Sequence, residues 1–282
     1  MVKRHPTAVP GGGATPSGKS VYKLKTSEGY KTAGEIAAKG LTFANQESLN
    51  ALTGAEFASG TSIFDPVLCE LVYRWFCPPG GTVLDPFAGG SVRGIVASKL
   101  GLAYTGVDLS ERQLEANRAQ GAAICPDNPP NWICGNSLEI ETLAPVAADL
   151  VFSCPPYADL EVYSEDERDI STMPYDKFRE VYAEIITACV RLLKPDRFAC
   201  FVVGDARDKD GFYYGFPWHT VQAFQDAGAR LYNEAVLITA VGSLPVRITK
   251  QFNSGRKLGK THQNVLIFCK GNSKRAAEVC GA

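Results

Sequence analysis

The sequence has no Cys-x-x-Cys pair and no internal repeat. It also has no apolar run near the ~18 residues that a membrane-spanning helix needs. Its nine cysteines, at 69, 77, 125, 134, 154, 189, 200, 269 and 280, are odd in number and sit mostly among apolar residues, as in Phe198-Ala199-Cys200-Phe201-Val202. That usage excludes a disulfide framework and a zinc site and fits reduced thiols. Net charge is missing too, because 29 Lys and Arg face 30 Asp and Glu. Bulk charge therefore gives no argument for a nucleic-acid partner, and local patches must decide. Residues 1–20 lack the apolar core of a signal peptide, so a cytoplasmic protein with no membrane partner is expected. The oligomeric state is not readable from this chain.

What is present describes a folded protein. Hydrophobic content of 45% and charged content of 21% over 282 residues suit one large α/β domain, or one with a small appendage. Residues 1–60 read as a flexible basic arm and lead-in. Seven Lys and Arg between 1 and 45 face only Glu28 and Glu35. From about 61 to 271, short β-branched or aromatic runs alternate with helical segments, the pattern of βαβ units around a mainly parallel sheet. Strands are expected at 82–84, 104–107, 132–134, 150–152, 198–203, 235–239 and 264–268. Helices are expected at 66–76, at 91–100 and from Ser110, where Ser110-x-x-Gln113 reads as a capping box. A longer helix from Asp176 puts Phe178, Tyr182, Ile185, Cys189 and Leu192 on one face, and Lys194-Pro195 is expected to end it. Residues 272–282 read as a tail.

Four segments carry chemistry. Gly13 to Ser20 spells a phosphate-loop pattern, but no strand precedes it and Pro16 removes an N–H from the loop, so it reads as coincidence. Thr82 to Ser91 is better placed, because its glycines follow a strand and open a helix. Asp85 at the strand end would repel a pyrophosphate and attract an ammonium group. Nineteen residues after Gly89, Asp108 ends the next strand, where an acid can accept from ribose hydroxyls. Finally, Asp149 to Tyr157 delivers a rigid Pro-Pro-aromatic turn to the same sheet edge, with fixed carbonyls and a ring face for stacking.

The order Asp85-Pro-Phe-Ala-Gly-Gly-Ser91, then Val107-Asp108, then Ser153-Cys-Pro-Pro-Tyr157 resembles the S-adenosylmethionine-dependent DNA methyltransferases that modify N4 of cytosine or N6 of adenine. The resemblance spans about residues 61–270. It implies a three-layer Rossmann-like fold with a seven-stranded, mostly parallel sheet and an antiparallel last strand, S-adenosylmethionine as cofactor, and double-stranded DNA, or RNA as the alternative, as partner. It further implies that Phe64 and Asp65 contact the cofactor and that Asp85, Pro86, Phe87, Ala88 and Gly89 hold its methionine part. Asp108 and Leu109 would lie at the ribose, and Asn136 and Ser137 near the adenine. Ser153, Cys154, Pro155, Pro156 and Tyr157 would form the catalytic turn. The turn accepts hydrogens of the exocyclic amine, and Tyr157 stacks on a flipped base.

Cys154 departs from the family pattern, which has Asp, Asn or Ser there. As a near-isostere of Ser it leans towards cytosine N4. As a thiolate it could attack a pyrimidine ring and direct methylation to C5. As a small filler it would leave the work to Ser153 and the carbonyls, or leave an inactive fold that only binds nucleic acid. Residues 242–260 carry Arg247, Lys250, Arg256, Lys257 and Lys260 without an acid, and read as a mobile loop that meets phosphates. Residues 158–180 are acidic and read as a lid, a partner contact or a solvated stretch. Asp205 to Trp218 is a further loop at the active edge, whose aromatics either touch the target or join the core.

Overall fold

The computed structural model describes residues 23–26, 29–32, 64–157, 166–238 and 244–281, with backbone alone at 23–26, 29–32 and 244–247. The chain divides into two units, Met1–Ser62 and Ile63–Ala282. In the first, β1 (Lys23–Thr26) pairs antiparallel with β2 (Gly29–Thr32). The Gly13 to Ser20 pattern lies outside the described residues.

The second unit is built on seven strands: β3 (Thr82–Asp85), β4 (Ala103–Asp108), β5 (Asn131–Cys134), β6 (Ala148–Ser153), β7 (Leu193–Val203), β8 (Ala229–Ile238) and β9 (His262–Lys270). Their order is β5-β4-β3-β6-β7-β9-β8. Strands β3 to β7 run parallel, and β9 lies antiparallel to both β7 and β8. The expected fold class is therefore borne out.

Alternation along the strands explains why they read as continuous apolar runs. Val83, Leu150, Phe152, Cys200, Val202 and Ile267 enter one core. Leu84, Val151, Ala199, Phe201, Leu266 and Phe268 enter the other. Successive side chains point to opposite faces, and both faces are covered. Helices α1 (Pro66–Phe76), α2 (Val92–Lys99) and α3 (Glu111–Ile124) contribute to the first core. The short α4 (Ile140–Leu143), the long α5 (Tyr175–Leu192) and α6 (Phe216–Asp226) contribute to the second. On α5, Phe178, Tyr182, Ile185 and Cys189 are fully buried, as the spacing requires.

Three expectations need correction. Helix α5 ends at Leu192, just ahead of Lys194-Pro195 as expected, but β7 begins at once, at Leu193 rather than at 198. Pro195 is accommodated by a register shift between the Ala148↔Leu193 and Leu150↔Phe198 pairs, where Asp196 takes a φ of 55°. A bulge of this kind tolerates a missing N–H. The tail at 272–282 holds α8 (Ser273–Val279), capped by Asn272, with Ala276 buried and Arg275 paired to Asp196 at 2.5 Å. The basic segment expected as a mobile loop contains α7 (Leu244–Gly255).

Candidate active site

Strands β3 and β6 are parallel neighbours, so the turns that follow them leave the sheet at the same edge. Their junction is a buried polar cluster centred on Asp85, which is 0% exposed. Asp85 Oδ1 accepts from the Phe87 N–H at 3.1 Å and from Ser153 Oγ at 2.6 Å. Asp85 Oδ2 accepts from Arg93 Nε at 2.6 Å and from the Tyr104 hydroxyl at 2.7 Å. Four donors on one carboxylate satisfy what burial would otherwise make costly.

This arrangement corrects one reading. Asp85 does not face an incoming ammonium group, because its oxygens are taken up inside the protein. It instead fixes the glycine turn. Arg93, from the first turn of α2, pairs with it and also donates through Nη2 to the carbonyls of Phe87 at 2.6 Å and Ala88 at 3.0 Å. Burial pushes the Arg93 guanidinium down, but Asp85 outweighs burial and holds it charged. Burial, reinforced by the Asp85 charge, pushes the Tyr104 phenol well up, so it remains a donor.

The cofactor-side residues divide in the same way. Gly89 adopts φ 48°, and a Cβ built on Gly90 would meet nothing within 4 Å, so the turn is open on that side. Asp108 sits beside it, half-buried at the end of β4. Its oxygens accept the N–H groups of Gly89 at 2.8 Å and Ser110 at 2.9 Å. Burial raises its pKa above the usual aspartate value, and those two N–H groups pull it back part of the way. A carboxylate offers about four acceptor positions, so two remain for hydroxyl groups. Asn117 Nδ2 closes the turn from behind by donating to the Gly89 carbonyl at 2.7 Å.

Other expected contacts have structural employment. Asp65 caps α1 through the N–H groups of Val67 and Leu68. Ser137 is buried and donates to the Pro86 carbonyl at 2.5 Å, and Asn136 Oδ1 caps the turn that follows. Pro86 and Ala88 are buried, and the Phe87 ring stacks on Tyr182. Leu109 is half-buried. Phe64 lies edge-on to Phe152 with the Arg93 guanidinium 4.8 Å above its ring, so the segment before α1 does reach the junction.

In the second turn Pro155 is buried, while Cys154, Pro156 and Tyr157 are half-buried. The Tyr157 hydroxyl accepts from the Gly204 N–H at 2.8 Å and from Gln263 Nε2 at 2.7 Å. Its ring meets Phe216 edge-on at 6.0 Å. The turn is thereby tied to the end of β7 and the start of β9.

Of the basic residues, Lys250 and Arg256 are exposed, whereas Lys257 and Lys260 lean on the loop after β7. The Arg247 side chain lies outside the described residues. So does most of the first half of the acidic stretch, 158–165. Sequence reasoning missed Arg93, Tyr104, Asn117 and Gln263. A signal existed for Arg93, since an arginine four residues before the buried Ala97 on α2 needs a buried acid. Among the described residues no helix is long and apolar enough to cross a membrane, and no group of acids, histidines and cysteines could hold a metal ion.

No protein-family model matches the chain, and no curated protein matches it in sequence. Solved structures do match. TrmN from Thermus thermophilus superposes with a TM-score of 0.50 at 16% identity, over 73% of this chain and 49% of that one. The chain thus spans about half the length of TrmN. A methyltransferase from Pyrococcus furiosus superposes with a TM-score of 0.50 at 16% identity, over 84% of this chain and 99% of that one. The chain has the Rossmann-like fold of these methyltransferases.

Proposed function

We propose that this chain transfers a methyl group from S-adenosylmethionine to an exocyclic amino group of a DNA base, cytosine N4 ahead of adenine N6. The reading rests on the 2.6 Å hydrogen bond from Ser153 Oγ to Asp85 Oδ1. It makes one unit of a cofactor-type glycine turn and a Pro-Pro-Tyr turn.

The cofactor fits the residues at that edge in part. Asp108 has acceptor capacity left for ribose hydroxyls, and the turn at Gly89 and Gly90 leaves room for a guest. Asp85 does not offer an ammonium contact. Bound there, the cofactor supplies a methyl group on a positively charged sulfur.

The protein's own task is to prepare the amine. Its lone pair is delocalised into the base, which makes it a weak nucleophile. A fixed carbonyl in the Cys154-Pro155-Pro156 turn accepts an amine hydrogen and draws the nitrogen out of the ring plane. Tyr157, held by Gly204 and Gln263, offers its ring to the flipped base. The nitrogen so prepared would take up the methyl group as its bond to sulfur breaks, and the methylated, cationic amine would then lose its extra proton to solvent while the carbonyl only accepts its hydrogen bond. Positioning of this kind supplies up to roughly 7 to 11 kcal/mol of the barrier.

Incubation of the full chain with methyl-labelled S-adenosylmethionine and mixed duplex DNA, followed by digestion and mass spectrometry of the bases, tests the reading. N4-methylcytosine is the expected product. Cys154→Ser should keep its activity. C5-methylcytosine, abolished in Cys154→Ser, would replace the proposed chemistry with a thiolate route. Label transferred only to RNA would replace the substrate. No cofactor binding at high micromolar concentration would remove the proposal.

A further inference from the structure

One surface at the same sheet edge combines fixed cations with exposed rings. Between β7 and α6 the chain passes through residues 205–215, and internal hydrogen bonds pin this loop. Arg207 and Tyr213 form an antiparallel bridge. The Asp208 N–H donates to the Phe212 carbonyl at 2.8 Å, and the Tyr214 N–H to the Ala206 carbonyl at 3.0 Å. Gly211, at φ 96°, makes the reversal that a side chain would strain.

The acids of this loop build it. Asp205 Oδ1 accepts from the N–H groups of Ala206, Gly215 and Phe216. Asp208 Oδ1 accepts from Gly211 and Phe212. Lys209 and Asp210 are both exposed at the tip and offset each other.

Three further cations converge there. The Arg207 guanidinium lies 3.7 Å over the Tyr213 ring, and Lys260 Nζ lies 5.7 Å from the same ring. Lys257 crosses the reversal so closely that a Cβ on Gly211 would come within 2.5 Å of its Nζ. Beside them Phe212 is 74% exposed, and Trp218, in the first turn of α6, is 70% exposed.

A pinned loop that keeps a phenyl ring in water forgoes about 1.5–3 kcal/mol that burial would give. Mobile loops often expose such rings in passing, but here the backbone that carries the ring is pinned, between Gly211 and Tyr213 where the cations gather. The surface suits a ligand that offers both anions and flat apolar faces. The loop also starts at Gly204, whose N–H holds the Tyr157 hydroxyl, so the exposed ring and the catalytic turn share one root.

We propose that loop 205–215 is a duplex-opening wedge: Phe212 enters the base stack of DNA while Arg207, Lys257 and Lys260 hold flanking phosphates. The proposal rests on the DNA reading above and deepens it, because it says how a base is brought out of the helix. Unstacking a step costs a few kcal/mol, and an inserted ring with phosphate contacts offsets that cost. The cations supply affinity that falls with salt, and the ring supplies the distortion.

The test reads unstacking separately from methyl transfer. The full chain is mixed with genomic duplex DNA, and permanganate oxidation of thymines reports unstacked bases. Affinity for the same DNA is measured in parallel, as is methyl transfer from labelled S-adenosylmethionine. Wild type is expected to raise thymine oxidation. Phe212→Ala should abolish that rise while its duplex affinity falls less than about fivefold, since most affinity comes from phosphates. The triple change Arg207→Ala, Lys257→Ala, Lys260→Ala should weaken binding by more than about tenfold at moderate salt and flatten the salt slope. Equal thymine oxidation by Phe212→Ala and wild type would overturn the wedge, as would a wild type that binds or methylates duplex DNA without unstacking it. A wild type that unstacks DNA but transfers no methyl group would support the wedge and overturn the methylation reading instead. A chain that binds no DNA overturns both.

Discussion

Ser153, the last residue of β6, donates a 2.6 Å hydrogen bond to Asp85, the last residue of β3, 68 positions earlier in the chain. Both side chains are fully buried. The serine expected among the catalytic residues is therefore engaged inside the protein, where its hydrogen bond links the two turns. Ser153→Ala leaves Asp85 Oδ1 with the Phe87 N–H alone and should cost about 1–3 kcal/mol of stability. A misplacement of the turns should lower the methyl-transfer rate by up to roughly 10²-fold. Urea unfolding and a split between the cofactor dissociation constant and kcat check this, with kcat taking most of the loss.

Arg93 and Asp85 form a buried ion pair, with Arg93 Nε 2.6 Å from Asp85 Oδ2. Arg93→Met should destabilise the fold by about 3–5 kcal/mol, because it leaves a carboxylate uncompensated in the core. Arg93→Lys keeps the charge, but a single ammonium cannot reach the carboxylate and the carbonyls of Phe87 and Ala88 with the same fork. It should recover only part of the loss. Urea midpoints of the three proteins give the order.

Gly106 on β4 has no room for a side chain. A Cβ there would stand 2.7 Å from the Tyr104 hydroxyl and 2.8 Å from the Ala88 Cβ. Gly106→Ala should push the glycine turn outward and cost about 1–3 kcal/mol, as overpacking does. Calorimetry should show weaker cofactor binding even where the variant remains folded.

Asp108 predicts a pH dependence with two signs. Its ionised form accepts the Gly89 and Ser110 N–H groups and would accept ribose hydroxyls. Burial raises its pKa, so cofactor binding should begin to fail, as pH drops, earlier than an exposed aspartate near ~3.9 would allow. For folding the sign is reversed. Between the unfolded and folded values the native state holds more proton, so this group's contribution to stability falls as pH rises through that window. Asp108→Asn should bind the cofactor more weakly, with a flatter pH profile below neutrality. Calorimetric titrations from pH 8 to acidic pH, with thermal melts alongside, read both effects.

Local sequence carried much of this site. Thr82 to Gly89 and Leu150 to Tyr157 were readable because an apolar strand running into glycine or proline has few alternatives. Ser110 was readable as a cap and does accept the Gln113 N–H, although Asp108, rather than Gln113, takes the Ser110 N–H. What escaped was long-range. Arg93 called for a buried acid without saying which, and nothing marks Tyr104 and Ser153 as its co-partners on Asp85, because the three come from separate elements and meet only when the sheet forms. Helix α7 was hidden by the glycines and charges around it, whose pattern suits a loop equally well. Helix α6 went unassigned because its Phe216-Pro217-Trp218 start reads as part of an aromatic loop.

The anchoring of Tyr157 by Gln263 has a temporal consequence. Gln263 belongs to β9, the last of the described strands, and β9 separates β7 from β8 in the sheet. During synthesis β8 must wait for β9, its neighbour among the described strands, and Tyr157 must wait for its contact with Gln263, until residues beyond 260 have emerged. The glycine turn can assemble early from β3 to β5, but the contacts of Tyr157 are completed only when β9 joins the sheet. A chain that ends before β9 would thus carry the glycine turn and the Pro-Pro-Tyr turn while Tyr157 still lacks its contact with Gln263.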